Sequence, residues 1–261
     1  MPSLPYAHHV EHGMFVRSRP GPAGAPTLVW LHGLGESGRC FEAVAGHPAL
    51  DATTALIPDL PGYGRSAWPA SPLGLEVVAD LLAVWLRGRG GARPIVVGHS
   101  MGGVLAVLLA ERHPDVVAQV VDVDGNVSIG DCSFSGRAAR LDVDAFVDGG
   151  FADLRGFVWD GGATSEALRG YHASMCFADP RTFHRHAREL VELSEPETMA
   201  VRLAHLPVPV TYVAGAPDGA CARSRELLDG AGVATIEIAP AGHWPFIDQP
   251  GVFAGAVATL L

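Results

Sequence analysis

The chain has 261 residues, 48 % of them hydrophobic, with 18 basic and 28 acidic side chains and a formal charge of −10. A chain of this length can bury a large core, either as one α/β domain or as a core with a modest insertion. The negative balance and the lack of any basic run argue against a nucleic-acid or anionic-membrane surface.

Every basic side chain is an arginine, a composition that looks like coding bias from a GC-rich bacterial genome. Without a lysine, no Schiff base and no internal pyridoxal linkage can form. No uninterrupted apolar run approaches the ~20 residues of a membrane span. Met1-Pro2-Ser3-Leu4-Pro5 lacks the basic and then apolar pattern of a secretory leader. Cys40, Cys132, Cys176 and Cys221 are scattered, with no Cys-x-x-Cys pair, so reduced thiols in a cytoplasmic protein are expected.

In chain order, residues 10–17 read as a first strand within a hairpin, and 27–32 as a buried strand ending at Gly33-Leu34-Gly35. Residues 54–58 form another strand, ending in Asp59-Leu60-Pro61-Gly62-Tyr63-Gly64-Arg65-Ser66. A helix is predicted over 75–86, with Leu75, Val78, Ala79, Leu82 and Leu86 on one face. Pro94-Ile95-Val96-Val97 reads as a buried strand and 103–110 as a buried helix, with Gly98-His99-Ser100-Met101-Gly102 between them. Strands at 116–123, 209–214 and 235–239 complete an alternation that marks a mostly parallel sheet flanked by helices. Residues 127–206 break that alternation. They hold helical pieces at 137–146, 165–176 and 181–193 and no convincing strand. An all-helical insertion at this point reads as a cap over the C-terminal sheet edge, where open α/β sheets bind ligands. The chain then divides into a core over 1–126, a helical cap over 127–206 and a returning core over 207–261.

A Gly-x-Ser-x-Gly run between a buried strand and a buried helix places its serine on a sharp turn. A Cβ two residues before or after Ser100 would strike the neighbouring strand or helix, which accounts for Gly98 and Gly102. The hydroxyl then stands close to a helix N-terminus, where developing negative charge is favoured. A serine needs a base within hydrogen-bond reach, and His243, in Gly242-His243-Trp244-Pro245 after the last strand, is the candidate. The base needs an acid to fix its tautomer. Asp218, four residues past the preceding strand, is the first candidate; Asp124, at the end of the strand after the elbow helix, is the alternative. Asp122 should face the same side as Asp124 but deeper, as a structural group.

Five motifs together, in this order and spacing, resemble the α/β-hydrolase superfamily over almost the whole chain: His32-Gly33-Leu34-Gly35, the Asp59 loop, Gly98-His99-Ser100-Met101-Gly102-Gly103, Gly215-Ala216-Pro217-Asp218 and Gly242-His243-Trp244-Pro245-Phe246. Within it, the chain is most similar to the capped carboxylesterase, lactonase and carbon–carbon-bond hydrolase group. The resemblance implies a Ser100, Asp218, His243 order for the triad and an oxyanion hole made by the backbone N–H groups of Leu34 and Met101. Gly219-Ala220 departs slightly from the longer stretch that usually follows the family's acid.

Other residues receive structural readings. His99 should pack beneath the elbow, His32 should shape the oxyanion loop, and Asp59 should shape its own glycine-rich loop. His8, His9 and His12, or His184 and His186, have spacings that metals use, but surface or core histidines are the commoner case and no metal is assigned. Gly33-x-Gly35-x-x-Gly38 satisfies a dinucleotide fingerprint formally, with Asp59 near the expected acid. A dinucleotide fold would explain neither the serine elbow nor the His243 loop, so no organic cofactor is expected. Among the cap's large side chains, two or three of Phe134, Phe146, Phe151, Phe157, Trp159, Tyr171, Met175, Phe177 and Phe183 should reach a partly apolar pocket. Arg137 and Arg140 are expected at the surface.

These residues point to a hydrolase of a small ester, lactone or thioester acting through an acyl-enzyme. Carbon–carbon-bond hydrolysis of a dicarbonyl, a non-hydrolytic cyclase, lyase or epimerase, and a ligand receptor remain as alternatives on the same fold.

Overall fold

The computed structural model describes residues 6–261, so the leader reading at Met1 to Pro5 lies outside the described residues. Eight strands form one sheet in the order β1-β2-β4-β3-β5-β6-β7-β8. β1 (Ala7–Glu11) and β2 (Met14–Arg19) are the expected hairpin, and β2 pairs antiparallel with β4 (Thr54–Pro58). From there the sheet is parallel, through β3 (Thr27–Leu31), β5 (Ile95–His99), β6 (Gln119–Val123), β7 (Val210–Asp218) and β8 (Thr235–Gly242).

β3, β5 and β6 are almost wholly buried runs, as strands covered on both faces must be. The helix Leu75–Arg89 packs its predicted apolar face inward, whereas Met101–Arg112 is apolar on nearly every side and buried over its first ten residues.

Two strands run further than their periodicity suggests. β7 continues to Asp218 and β8 to Gly242, in register, with Asp218 opposite Gly242 after an irregularity between Gly215 and Pro217. Asp218 therefore ends a strand and does not lie on the loop beyond it.

Between β6 and β7, among the described residues, there are helices and no strand. The helix expected at 137–146 is broken. Ser133–Ala139 ends, and Asp142 accepts a hydrogen bond from Ala145 N at 2.8 Å, capping a new turn. That turn passes through a wide-turn segment (Phe146–Gly150) into Phe151–Gly161. The side chain of Asp142 competes with helix continuation, and His184 Nε2 donates to the Leu141 carbonyl left at the break. Glu166–Met175 and Pro180–Ser194 match their predicted spans to within a residue or two.

The helix Pro180–Ser194 is anchored on the Asp59–Ser66 loop. Asp179 N donates to Gly62 O at 2.8 Å, and Tyr63 Oη donates to His186 Nδ1, whose Nε2 donates to Leu73 O. Phe183 of this helix rests on Gly35, where a Cβ would lie 2.6 Å from its ring. No helix among the described residues is long and apolar enough to cross a membrane.

Candidate active site

The elbow has the tight geometry its glycines imply. A Cβ on Gly98 would sit 2.1 Å from the Gly102 carbonyl oxygen, and one on Gly102 would sit 2.0 Å from that of Leu31. Ser100 itself holds φ +53°, a left-handed value that a non-glycine residue adopts at a cost of ~1–3 kcal/mol. The strain is sustained by neighbours on both sides: Ser100 N donates to Val123 O, and Ser100 O accepts from Gly103 N.

Ser100 and His243 line one small cleft with Gly33, Leu34, Asn126, Asp131, Phe134, Ser135, Tyr171, Leu190 and Trp244. The elbow, the Gly33-Leu34-Gly35 loop, the His243 loop and the helical segment all contribute to it. The N–H groups of Leu34 and Met101 have no hydrogen-bond acceptor among the described residues, and Met101 opens its helix, where no intrahelical acceptor exists. Of the cap aromatics, Phe134 and Tyr171 reach the cleft. Phe157, Trp159 and Phe177 are exposed, and Arg137 lies over the Phe157 ring at 4.1 Å.

No hydrogen bond joins the His243 imidazole to either candidate acid among the described residues. The ring lies instead 4.7 Å from that of His99. Asp218 is exposed, beside Gly242 in the β7–β8 register. Asp124 is buried, with φ +46°, and accepts from Gly215 N at 3.0 Å and Ala220 N at 2.8 Å. It too lies near Gly242: a Cβ on Gly215 would be 1.9 Å from the Gly242 carbonyl oxygen and 3.2 Å from Asp124 Oδ2. Both acids thus lie beside the residue before His243, and neither is hydrogen-bonded to its ring. Burial raises the Asp124 carboxyl to about 7 against the lowering pull of its backbone donors. Asp122, deeper in β6, accepts from Gly125 N and is raised by burial to about 8.

Beneath the site lies a charged pair that sequence reasoning missed. Glu36, 2 % exposed, accepts from Gly33 N at 2.7 Å, from His99 Nδ1 at 3.0 Å and from Trp244 Nε1. His99 Nε2 reaches the His243 carbonyl oxygen at 2.8 Å. A neutral imidazole has one N–H, yet both partners of His99 are pure acceptors; only the imidazolium satisfies both. Burial alone would lower the His99 pKa, but the Glu36 charge and hydrogen bond raise it. Burial likewise pushes Glu36 up, and the His99 charge with its other donors outweighs this, holding the carboxyl at about 2. One carboxylate therefore ties the Gly33-Leu34-Gly35 loop, the elbow and the His243 loop together. His243 pays for this neighbour: burial first, then the His99 charge, pushes its pKa down to about 3.

His32 and Asp59 have structural partners. His32 donates through Nδ1 to Gly33 O and accepts at Nε2 from Leu60 N, which fixes a neutral tautomer bracing the Gly33-Leu34-Gly35 loop. Asp59 accepts from Arg17, Gly38 N and Arg65 N, so the formal dinucleotide fingerprint has its acid already spent. The four cysteines are free thiols.

Over 129 residues, 49 % of this chain, the sequence is 37 % identical to lipase LipV of Mycobacterium tuberculosis, of which the match covers 46 %. The chain thus spans about half the length of this curated relative. A match of 29 % identity over 253 residues, covering 90 % of this chain and 94 % of the relative, links it to 2-succinyl-6-hydroxy-2,4-cyclohexadiene-1-carboxylate synthase of Pectobacterium atrosepticum. Among solved structures, the enol-lactonase from Burkholderia xenovorans superposes with a TM-score of 0.71 at 23 % identity, covering 97 % of this chain and 98 % of that one, a likeness of fold. With residues 28–256 matching the Alpha/beta hydrolase family, the chain belongs to that family.

Proposed function

We propose that this protein hydrolyses a small, partly apolar ester, lactone or thioester through an acyl-enzyme. The observation that carries the reading is the shared cleft: a strained, elbow-held Ser100, a neutral His243 and Leu34 line one small space, and the N–H groups of Leu34 and of Met101, next in sequence to Ser100, are unpaired among the described residues. Ser100 Oγ attacks the carbonyl carbon while His243 takes its proton. The resulting oxyanion is held by Leu34 N–H and Met101 N–H. The tetrahedral adduct collapses, breaking the bond to the leaving oxygen or sulfur, which receives the proton from His243. Water then adds to the acyl-serine, giving its proton to His243, and the acid product departs as Ser100 recovers that proton. Asp218 is the proposed acid, supported by its place opposite Gly242. The burial of Asp124 and its two backbone donors favour a second assignment to that residue. Residues 127–206 act as the substrate-selecting cap, with no metal or organic cofactor, and the substrate is a small molecule.

A fluorophosphonate probe read by intact mass tests the mechanism. Wild type should gain one adduct, and Ser100→Ala and His243→Ala should gain none. No adduct on folded wild type would remove the acyl-enzyme. That result would favour the second reading, a non-hydrolytic reaction with His243 as base, which the nearly full-length resemblance to a synthase supports.

The depressed His243 pKa gives a second expected outcome. A base must be unprotonated, so the acid limb of kcat/KM lies below the ordinary histidine range. On an uncharged ester, kcat/KM should stay nearly flat from about pH 8 to about pH 5. A limb near 7 would show that His243 keeps the basicity of an ordinary histidine in the free enzyme, and the depressed value would be wrong.

A further inference from the structure

One buried polar atom of the cleft has no partner. Asn126, 4 % exposed, lies beyond β6 and lines the cleft together with Ser100, His243 and Ser135. Its Nδ2 donates to Cys132 Sγ at 3.6 Å, and its Oδ1 bonds to nothing among the described residues. The amide orientation follows from its surroundings. The Cys132 S–H is directed to the Leu190 carbonyl at 3.9 Å, so the sulfur has only a lone pair to offer and takes the N–H₂ side. A buried carbonyl oxygen left without a donor is costly, and such sites in natural proteins call for an occupant.

Asp131, on the same cleft, is mostly engaged within the protein: Oδ2 takes Val127 N, Ser128 N and Ser224 Oγ, and Oδ1 takes Cys221 N. Its charge nonetheless makes this wall negative, which favours a hydrogen-bond donor and disfavours a carboxylate on the substrate.

We infer that Asn126 Oδ1 is a specificity-determining acceptor for an N–H or O–H donor on the acyl part of the substrate, close to the scissile carbonyl. The substrate class is then narrower than simple alkyl esters: acylamino or hydroxy esters, lactones or thioesters. This inference rests on the serine-hydrolase reading above.

A matched pair of p-nitrophenyl esters tests it, those of N-acetylglycine and of 4-oxopentanoic acid, which differ by an N–H in place of a CH₂. After correction for the uncatalysed rates, wild type should favour the N–H ester in kcat/KM by about tenfold or more. In Asn126→Leu, and independently in Asn126→Ala, that ratio should collapse towards one. Ser100-dependent turnover without a preference in wild type, or a preference that survives both substitutions, would overturn the inference alone. No Ser100-dependent turnover of either ester would overturn the hydrolase reading and the inference with it.

Discussion

Asp218→Asn should lower kcat/KM by roughly 10²- to 10⁴-fold while leaving the urea unfolding midpoint where it was. The two halves of this outcome have separate causes. An amide in place of the acid stabilises the wrong imidazole tautomer and gives no counter-charge to the imidazolium, so the loss falls on the chemical step. Asp218 is exposed and accepts no hydrogen bond among the described residues, so its removal leaves no buried group unpaired. Asp124→Asn should show the opposite pattern. Its carboxylate caps Gly215 N and Ala220 N at the base of the β7 turn, and an amide can accept there through only one of its two heavy atoms. One buried N–H then loses its acceptor, costing about 1–3 kcal/mol of stability. Steady-state kinetics and urea titrations on both variants decide the matter. A large kinetic loss in Asp124→Asn, with Asp218→Asn near wild type, would reassign the acid.

What was legible in the sequence was whatever is local. The sheet strands announce themselves as short apolar runs. The elbow is recognisable because its two glycines are required by contacts that a Cβ would make at 2.0 and 2.1 Å. Leu34, Met101 and His243 sit next to motifs of the same kind. Glu36 carries no such signal: its partners His99 and Trp244 lie 63 and 208 residues away, and a lone acid in a glycine-rich loop has no period to betray it. Asn126 carries no local signal, because its unpaired oxygen depends on Cys132, just before the helix Ser133–Ala139, and on Leu190, within the helix Pro180–Ser194. The broken helix at 137–146 was missed for a different reason. Its apolar spacing is helical on both sides of Asp142, and the local side-chain cap that interrupts it outweighs periodicity. The extension of β7 to Asp218 is likewise a product of pairing with β8, not of propensity.

The second large effect is expected at Glu36. Three N–H groups, from Gly33, His99 and Trp244, converge on its two oxygens. In Glu36→Gln the amide nitrogen must face one of these donors, and the buried imidazolium of His99 loses its counter-charge. Removing one partner of such a pair costs about 3–5 kcal/mol. The pH dependence identifies the charge itself. Glu36 is lowered from 4.5 to about 2, so its contribution is present above 4.5 and lost as pH falls through 2. His99 is raised above 6.5, so its contribution is complete below 6.5 and lost as pH rises through its folded value. The pair is therefore fully stabilising between 4.5 and 6.5, and the gap between wild type and Glu36→Gln should be wider at about pH 5.5 than at about pH 9. Urea unfolding at the two pH values reads it directly. An equal gap at both would mean that the charge state of His99 does not change between the two pH values, so that its titration contributes nothing to the difference. Because the same carboxylate holds Gly33, next to the Leu34 donor, and through His99 the His243 carbonyl, the variant should also lose kcat more than KM. Packing alone would not divide the loss in that way, since the groups displaced are those proposed to meet the transition state.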